Sequence, residues 1–350
     1  LPSLSHTNSF LEILQKFKEL NWLEKSRQDE GQATPTSQWA RCDEEMTKGL
    51  DRFGDIFVWK GNRVKLQVPD DHNNYIHASP LTLKSNRTGR VSKYIAMQAP
   101  KKRTTDHVWR MVWQELESPA VIVMLTTDQS YRYYPAAPSE SMTINVADEF
   151  NDGFLATVTC ESVETSADGI TEIRKLIMTT KGEEKEKIVW HLLYTQWPDY
   201  GIPVETDTAS LLNLIALSNT HNRSPQNPRI VHCRAGVGRS GTFIVLDHLL
   251  GELQAGAFRN ELGSNWESRR EDDPVFDAVN TLRMQRPNMV QAPPQYRFVY
   301  QILKVAWEEK YGRKLVESGA STPGGSRPGS RGGPLAKILR LVDAEDVFTD

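Results

Sequence analysis

"VHCRAGVGRSG", residues 231–241, decides how this chain folds. Cys233 and Arg239 stand six positions apart, with glycines at 236, 238 and 241. "RIVH" at 229–232 reads as the end of a β-strand, and the run from Gly241 reads as the start of a helix. The seven residues from Cys233 to Arg239 then form a strand-to-helix loop. Backbone N–H groups of such a loop converge with the free donors of the helix's first turn into an anion-binding concavity. Gly236 and Gly238 permit backbone conformations that a side chain would obstruct. Arg239 adds a planar fork able to hold two phosphate oxygens at once. The same dipoles favour a thiolate, so a cysteine at the base of the cup has a lowered pKa. The chemistry indicated is attack of the Cys233 thiolate on phosphorus. A Walker A loop is disfavoured, because Gly-Arg-Ser stands where Gly-Lys-Ser/Thr is needed.

The rest of the chain is an ordinary soluble composition: 350 residues, 38% hydrophobic and 25% charged. A formal net charge of −3 gives no bulk attraction to nucleic acid or an anionic membrane, so an anionic ligand must be drawn in locally. The three cysteines, Cys42, Cys160 and Cys233, are odd in number and widely spaced. That fits a reducing, cytoplasmic or nuclear compartment, and it disfavours a disulfide framework or a zinc site. No metal or other cofactor is called for. No apolar run is long enough to span a membrane. The chain opens on Leu rather than Met, as a fragment or processed chain would.

β-branched runs at 93–98, 120–127, 154–160, 172–180 and 187–197 predict strands. Helical spacing predicts helices over 9–28, with Ser9 and Glu12 as a capping box, and over 105–117, 208–219, 241–253, 274–285 and 295–312. The expected fold is a single α/β domain: a highly twisted mixed sheet flanked by helices, with the phosphate-binding loop between a strand and a helix. Residues 1–38 read as an N-terminal helix packing on or preceding the core, and 39–312 as the catalytic domain. Residues 313–350 include the Gly/Ser/Pro-rich "ESGASTPGGSRPGSRGGP" and read as a low-complexity, disordered tail. The alternative for the tail is a tethered amphipathic helix that docks a regulatory partner.

"HCRAGVGRSG" resembles the HCxxGxxR[ST]G signature of the cysteine-dependent protein tyrosine phosphatases, in their large, non-receptor-like, tyrosine-specific type. "YIAMQAP" at 94–100, "WRMVWQE" at 109–115, "WPDYGIP" at 197–203 and "LRMQRPNMVQAPPQYRF" at 282–298 are similar to further family motifs, in the family's order. The resemblance implies hydrolysis of phosphotyrosine in protein substrates, with Cys233 as nucleophile and Asp199 as general acid and then base. It makes Trp197 a hinge anchor of a mobile loop and Tyr200 a pocket wall. Gln291 would position the hydrolytic water, assisted by Gln295, and Ser240 would ease departure of the cysteine sulfur. Arg234, Ala235, Gly236, Val237 and Gly238 would cradle phosphate, and His232, which alone reads as a structural histidine, would support the loop and thiolate.

Several positions depart from the family pattern. In "KGNRVKL" at 60–66, Val64 falls where KNRY has the tyrosine that stacks on the substrate ring, and Leu66 falls where an acid follows. His77 replaces an asparagine, Arg234 replaces a serine, and Ala292 replaces a threonine. The segment "TTDQSYRYYP" at 126–135 lacks the usual Glu and Lys braces, leaving Asp128 or Arg132 as substitutes. Three readings follow: a tyrosine phosphatase, a phosphatase of dual or phosphoinositide specificity, and a weakly active phosphotyrosine-binding module.

Overall fold

The computed structural model describes residues 10–126, 131–198, 201–203, 205–258 and 273–312. In chain order these form α1 (Phe10–Ala33), the one-turn α2 (Glu44–Thr47), β1 (Ala78–Lys84), β2 (Val91–Met97), α3 (Thr105–Glu115), β3 (Ala120–Met124), β4 (Ser141–Ile144), β5 (Ala156–Thr165), β6 (Thr171–Thr180) and β7 (Lys187–Tyr194). There follow α4 (Glu205–His221), β8 (Arg229–His232), α5 (Gly238–Gln254), α6 (Pro274–Gln285) and α7 (Pro293–Trp307), which ends in a π-turn over Glu308–Gly312.

All eight strands join one sheet in the order β1-β2-β8-β3-β7-β6-β5-β4. The central strands β2, β8, β3 and β7 run parallel, while β1 and the β6-β5-β4 meander pair antiparallel, so the sheet is mixed as expected. Period-2 alternation sends Val121 and Val123 into one core cluster and Ala120, Ile122 and Met124 into the other, because successive strand side chains face opposite sides. The first cluster lies under the helices α4 to α7; the second includes residues of α3. Met97, His232 and Met124 lie abreast at the carboxyl ends of β2, β8 and β3. Ligands of open α/β sheets sit beyond that edge.

Two boundaries differ from the sequence expectation. Helix α1 runs to Ala33 rather than stopping near residue 28. Gly31 sits inside it because the returning chain crosses there: a Cβ at this position would lie 2.1 Å from the carbonyl oxygen of Trp39. Helix α5 begins at Gly238, not Gly241, so the loop is only Cys233–Val237. The Gly241 N–H already reaches the Val237 carbonyl at 2.9 Å, which puts Arg239 in the first helical turn.

Helix α1 packs on α6 and α7. Phe17 and Leu20 are buried in the main core, and the Phe17 ring lies 5.6 Å from that of Tyr296. Glu24 is buried beside Arg283 at 3.7 Å and accepts from the Asn288 N–H at 2.9 Å. Arg283 also donates to Asn21 Oδ1 at 2.8 Å. The proposed tail, residues 313–350, lies outside the described residues.

Candidate active site

Cys233 follows β8 directly, and its side chain is buried. The turn after it depends on Gly236, whose φ is +73° and whose added Cβ would stand 2.0 Å from the Met97 carbonyl oxygen. No side chain fits between this loop and the end of β2, so the loop lies flat on the sheet edge and its amides turn inward. The Gly236 N–H approaches Cys233 Sγ at 3.3 Å. Behind the loop, the fully buried Arg286 donates to the carbonyls of Gly236 at 2.9 Å and Ala235 at 3.2 Å. With those oxygens held outward, the N–H groups are left for the cup. Burial lowers the pKa of Arg286 to about 10, so it still carries its charge at neutral pH.

The electrostatics favour a thiolate. Burial alone would push the Cys233 thiol up, but the Arg239 charge, the Ser240 hydroxyl and N–H, and the Gly236 N–H outweigh it, so the pKa is lowered. The Ser240 hydroxyl is buried with no hydrogen-bond partner among the described residues, and it is one of the groups that lower Cys233. His232 contributes differently from the sequence expectation. Burial holds its pKa down, to about 4, so it is neutral at pH 7 and supplies no positive charge to the thiolate. It is a brace: Nδ1 meets the Cys233 carbonyl at 3.3 Å and Nε2 meets the Tyr133 hydroxyl at 2.7 Å.

Arg239 is buried and donates from Nη1 to the Trp197 carbonyl at 2.9 Å, with Thr126 Oγ1 at 3.5 Å from Nη2. Arg132, one of the two substitutes considered for the missing braces, instead pairs with Glu140 at 3.0 Å; Asp128 lies outside the described residues. The indole N–H of Trp197 reaches the Gly201 carbonyl at 3.1 Å, and Gln295 Nε2 reaches the same oxygen at 3.4 Å. These bonds tie Trp197 to the first turn of α5 and Gly201 to α7. Asp199 and Tyr200 lie outside the described residues.

A cavity opens at the sulfur, lined by Phe53, Cys233, Arg234, Ala235, Gly238, Arg239, Gln291 and Gln295. Gln291 follows a strained residue. Val290, β-branched and buried, has φ +56°, a conformation that costs on the order of 1–3 kcal/mol and is kept where surrounding contacts enforce it. Here Arg283 donates to the carbonyls of Met289 at 2.9 Å and Val290 at 3.1 Å, and the Val290 N–H reaches the Val237 carbonyl at 3.2 Å. Ala292, in place of threonine, gives its N–H to Gln295 Oε1 at 3.2 Å. Val237 itself is wholly buried in the core, so only its backbone serves the loop.

The sequence expectation for the aromatic wall needs correction. Val64 and Leu66 are buried in the second core cluster and do not line the cavity. Phe53 does. "DRFGD" at 51–55 places an arginine before the ring and an acid two residues after it, the spacing expected of the recognition loop, with Phe for Tyr. That signal was present; "NRV" at 62–64 copied only its first part. Gln98 fixes the loop, accepting from the Arg52 N–H at 2.9 Å and donating to the Leu50 carbonyl at 2.8 Å. The Asp51 carboxylate accepts from the Tyr75 hydroxyl at 2.7 Å. His77 also proves to be scaffold: it is buried between the Ile56 carbonyl at 3.1 Å and Arg286 at 3.1 Å.

The protein-tyrosine phosphatase family model matches residues 47–304. The chain belongs to the protein-tyrosine phosphatase family. Mouse tyrosine-protein phosphatase non-receptor type 4 is 28% identical over 291 residues, covering 81% of this chain and 27% of the relative. Rat tyrosine-protein phosphatase non-receptor type 21 is 31% identical over 271 residues, covering 72% of this chain and 20% of the relative. The chain thus spans about a quarter of the length of such relatives. The crystal structure of the catalytic domain of human protein tyrosine phosphatase non-receptor type 18 shares the fold, with TM-score 0.65 and 22% identity over 84% of this chain and 96% of that one. Among the described residues, no helix is long and apolar enough to cross a membrane.

Proposed function

We propose that this phosphatase-family chain hydrolyses phosphotyrosine in protein substrates through a phosphocysteine intermediate. The observation that carries the reading is Cys233: it lines one cavity with Arg239, Gln291 and Gln295, and the Arg239 charge and the N–H groups of Gly236 and Ser240 lower its pKa. In the first step Cys233 Sγ attacks phosphorus, the bond from phosphorus to the phenolic oxygen breaks, and Asp199 gives that oxygen a proton. Arg239 and the loop amides hold the equatorial oxygens, where charge gathers in the transition state. In the second step Gln291, with Gln295, orients a water for Asp199 to deprotonate. Attack on phosphorus breaks the P–S bond, and the Ser240 hydroxyl stabilises the departing thiolate.

Phe53 supports phosphotyrosine over smaller phosphoresidues, because a ring wall at the cavity mouth rewards an aryl leaving group. Val64 and Leu66, being core residues, lend nothing to a dual or phosphoinositide specificity. The catalytic unit is read as residues 39–312 with α1 packed upon it, and residues 313–350 as a low-complexity tail, with docking of a regulatory partner as the alternative. A reducing compartment, the cytoplasm, suits a reaction that needs a free Cys233; all three cysteines are unpaired.

The test is turnover of one peptide carrying phosphotyrosine, phosphoserine or phosphothreonine, beside a short-chain phosphoinositide, with Cys233→Ser as control. Preference for phosphotyrosine, with a phosphocysteine trapped by acid quench, is the expected result. Equal turnover of the others would reject the substrate class, and turnover surviving Cys233→Ser would reject the mechanism.

A further inference from the structure

Resting on the two-step mechanism just proposed, we infer that Asn21 and Glu24 of α1, acting through Arg283, are positioning residues for Gln291 and set the rate of the hydrolytic step. Phe17, Asn21 and Glu24 stand four and three residues apart, so they share one face of α1. All of them meet the buried Arg283 guanidinium. The Phe17 ring centroid lies 5.2 Å from it, Asn21 Oδ1 accepts from it at 2.8 Å, and Glu24 Oε2 stands 3.7 Å away. The same guanidinium donates to the carbonyls of Met289 at 2.9 Å and Val290 at 3.1 Å, and Glu24 accepts from the Asn288 N–H at 2.9 Å. Each residue from 288 to 290 thus has a backbone group bonded to Glu24 or Arg283, and Gln291 comes next in the chain.

Those bonds hold a backbone that would otherwise relax. Asn288 and Val290 have φ of +64° and +56°. An extended chain turns successive carbonyls to opposite sides, whereas the left-handed Val290 brings those of 289 and 290 onto one guanidinium. Such a conformation persists where its surroundings enforce it, and relaxing it would rotate the chain at the residue before Gln291. Gln291 lines the cavity with Cys233, Arg239 and Gln295, so that rotation would be felt where the hydrolytic water is held. The groups of the first step, Cys233 and Arg239, come from the loop after β8 and the first turn of α5. Helix α1 lies ahead of residues 47–304, the span that the family model matches, so this support reaches the site from outside that span.

The experiment is single-turnover rapid quench of the full chain on a phosphotyrosine peptide, in which the rise of phosphocysteine reads the first step and its decay the second. Glu24→Gln keeps an acceptor for the Asn288 N–H and removes the charge that faces Arg283. Its decay is expected to slow roughly five- to twentyfold while the rise stays near wild type. In the steady state kcat and KM then fall together, and kcat/KM holds. Asn21→Ala should move the decay in the same direction by less, and it decides alone if Glu24→Gln does not fold. Lys16→Ala, which removes the Lys16–Asp273 pair from the same helix, should leave the decay unchanged. Thermal melts confirm that each variant is folded at the assay temperature. Decay unchanged in both test variants, rise and decay slowed alike, or equal slowing in Lys16→Ala overturns the inference while leaving the mechanism intact. Absence of phosphocysteine and of Cys233-dependent turnover in the wild type would instead overturn the proposed function.

Discussion

Arg239 donates from Nη1 to the Trp197 carbonyl oxygen at 2.9 Å, joining the first turn of α5 to the base of the segment that carries Asp199. One guanidinium thus ties the first turn of α5 to the residue two positions before Asp199. Arg239→Lys keeps a charge but cannot span both phosphate and carbonyl. It is expected to lower kcat/KM on the order of a thousandfold. Steady-state kinetics beside a thermal melt check this; a loss under tenfold would show that the fork is dispensable.

Phe53 and Val64 separate wall from core. Phe53→Ala removes a ring worth about 0.5–1.5 kcal/mol of stacking, so kcat/KM on a phosphotyrosine peptide should fall several-fold. Val64→Ala should cost about 0.5–3 kcal/mol of stability and leave KM near wild type. Peptide kinetics and denaturant melts on the two variants decide; the reverse pattern would return the wall to Val64.

Val290 stores strain beside Gln291. Val290→Gly relieves on the order of 1–3 kcal/mol of backbone strain and loses a similar amount of side-chain packing. Stability should therefore change little, while looser aim of Gln291 slows the hydrolytic step and the phosphoenzyme accumulates. Rapid-quench measurement of phosphocysteine reads this directly. A faster second step would refute the positioning role.

The pH dependence has two parts. Cys233, lowered in the fold, favours the native state at high pH, and that contribution is lost as pH falls through its folded value. Its alkylation rate should rise with pH at an inflection below that of a free thiol. Asp51 behaves oppositely: burial raises it from 3.8 to about 6. Its contribution to stability is fully present below 3.8 and is lost as pH rises through about 6. Asp51→Asn should flatten the stability profile between these values; an unchanged slope there would assign it to another group.

At the back of the fold, Glu24 and Arg283 are a buried pair linking α1 to the segment that aims Gln291. Glu24→Ala leaves the guanidinium without its partner carboxylate and should destabilise by about 3–5 kcal/mol. Urea denaturation measures it, and a loss below 1 kcal/mol would mean that α1 contributes little to the core.

Much of the fold was legible because period and spacing are local. Strands β2, β3, β5, β6 and β7 alternate or run apolar over five or more residues, and the long helices keep 3.6-residue spacing. Two strands were missed. β1 carries Pro80, which suits the sheet edge it occupies, and β4 is only four residues long. Tyr133, which braces His232, was hidden because nothing in "SYRYYP" tells which tyrosine turns inward.

Sequence by itself determined the reacting group. Cys233, the glycine that lets its loop turn and Arg239 lie within seven residues, so their geometry follows from one strand, one loop and one helical turn. Tertiary structure decided what surrounds that group. Phe53 reaches the cavity because Gln98, at the end of β2, grips its loop, and Val64 is buried because its own strand-like segment faces the core. Each placement depends on contacts between residues tens of positions apart, and such contacts exist only once the chain has closed on itself.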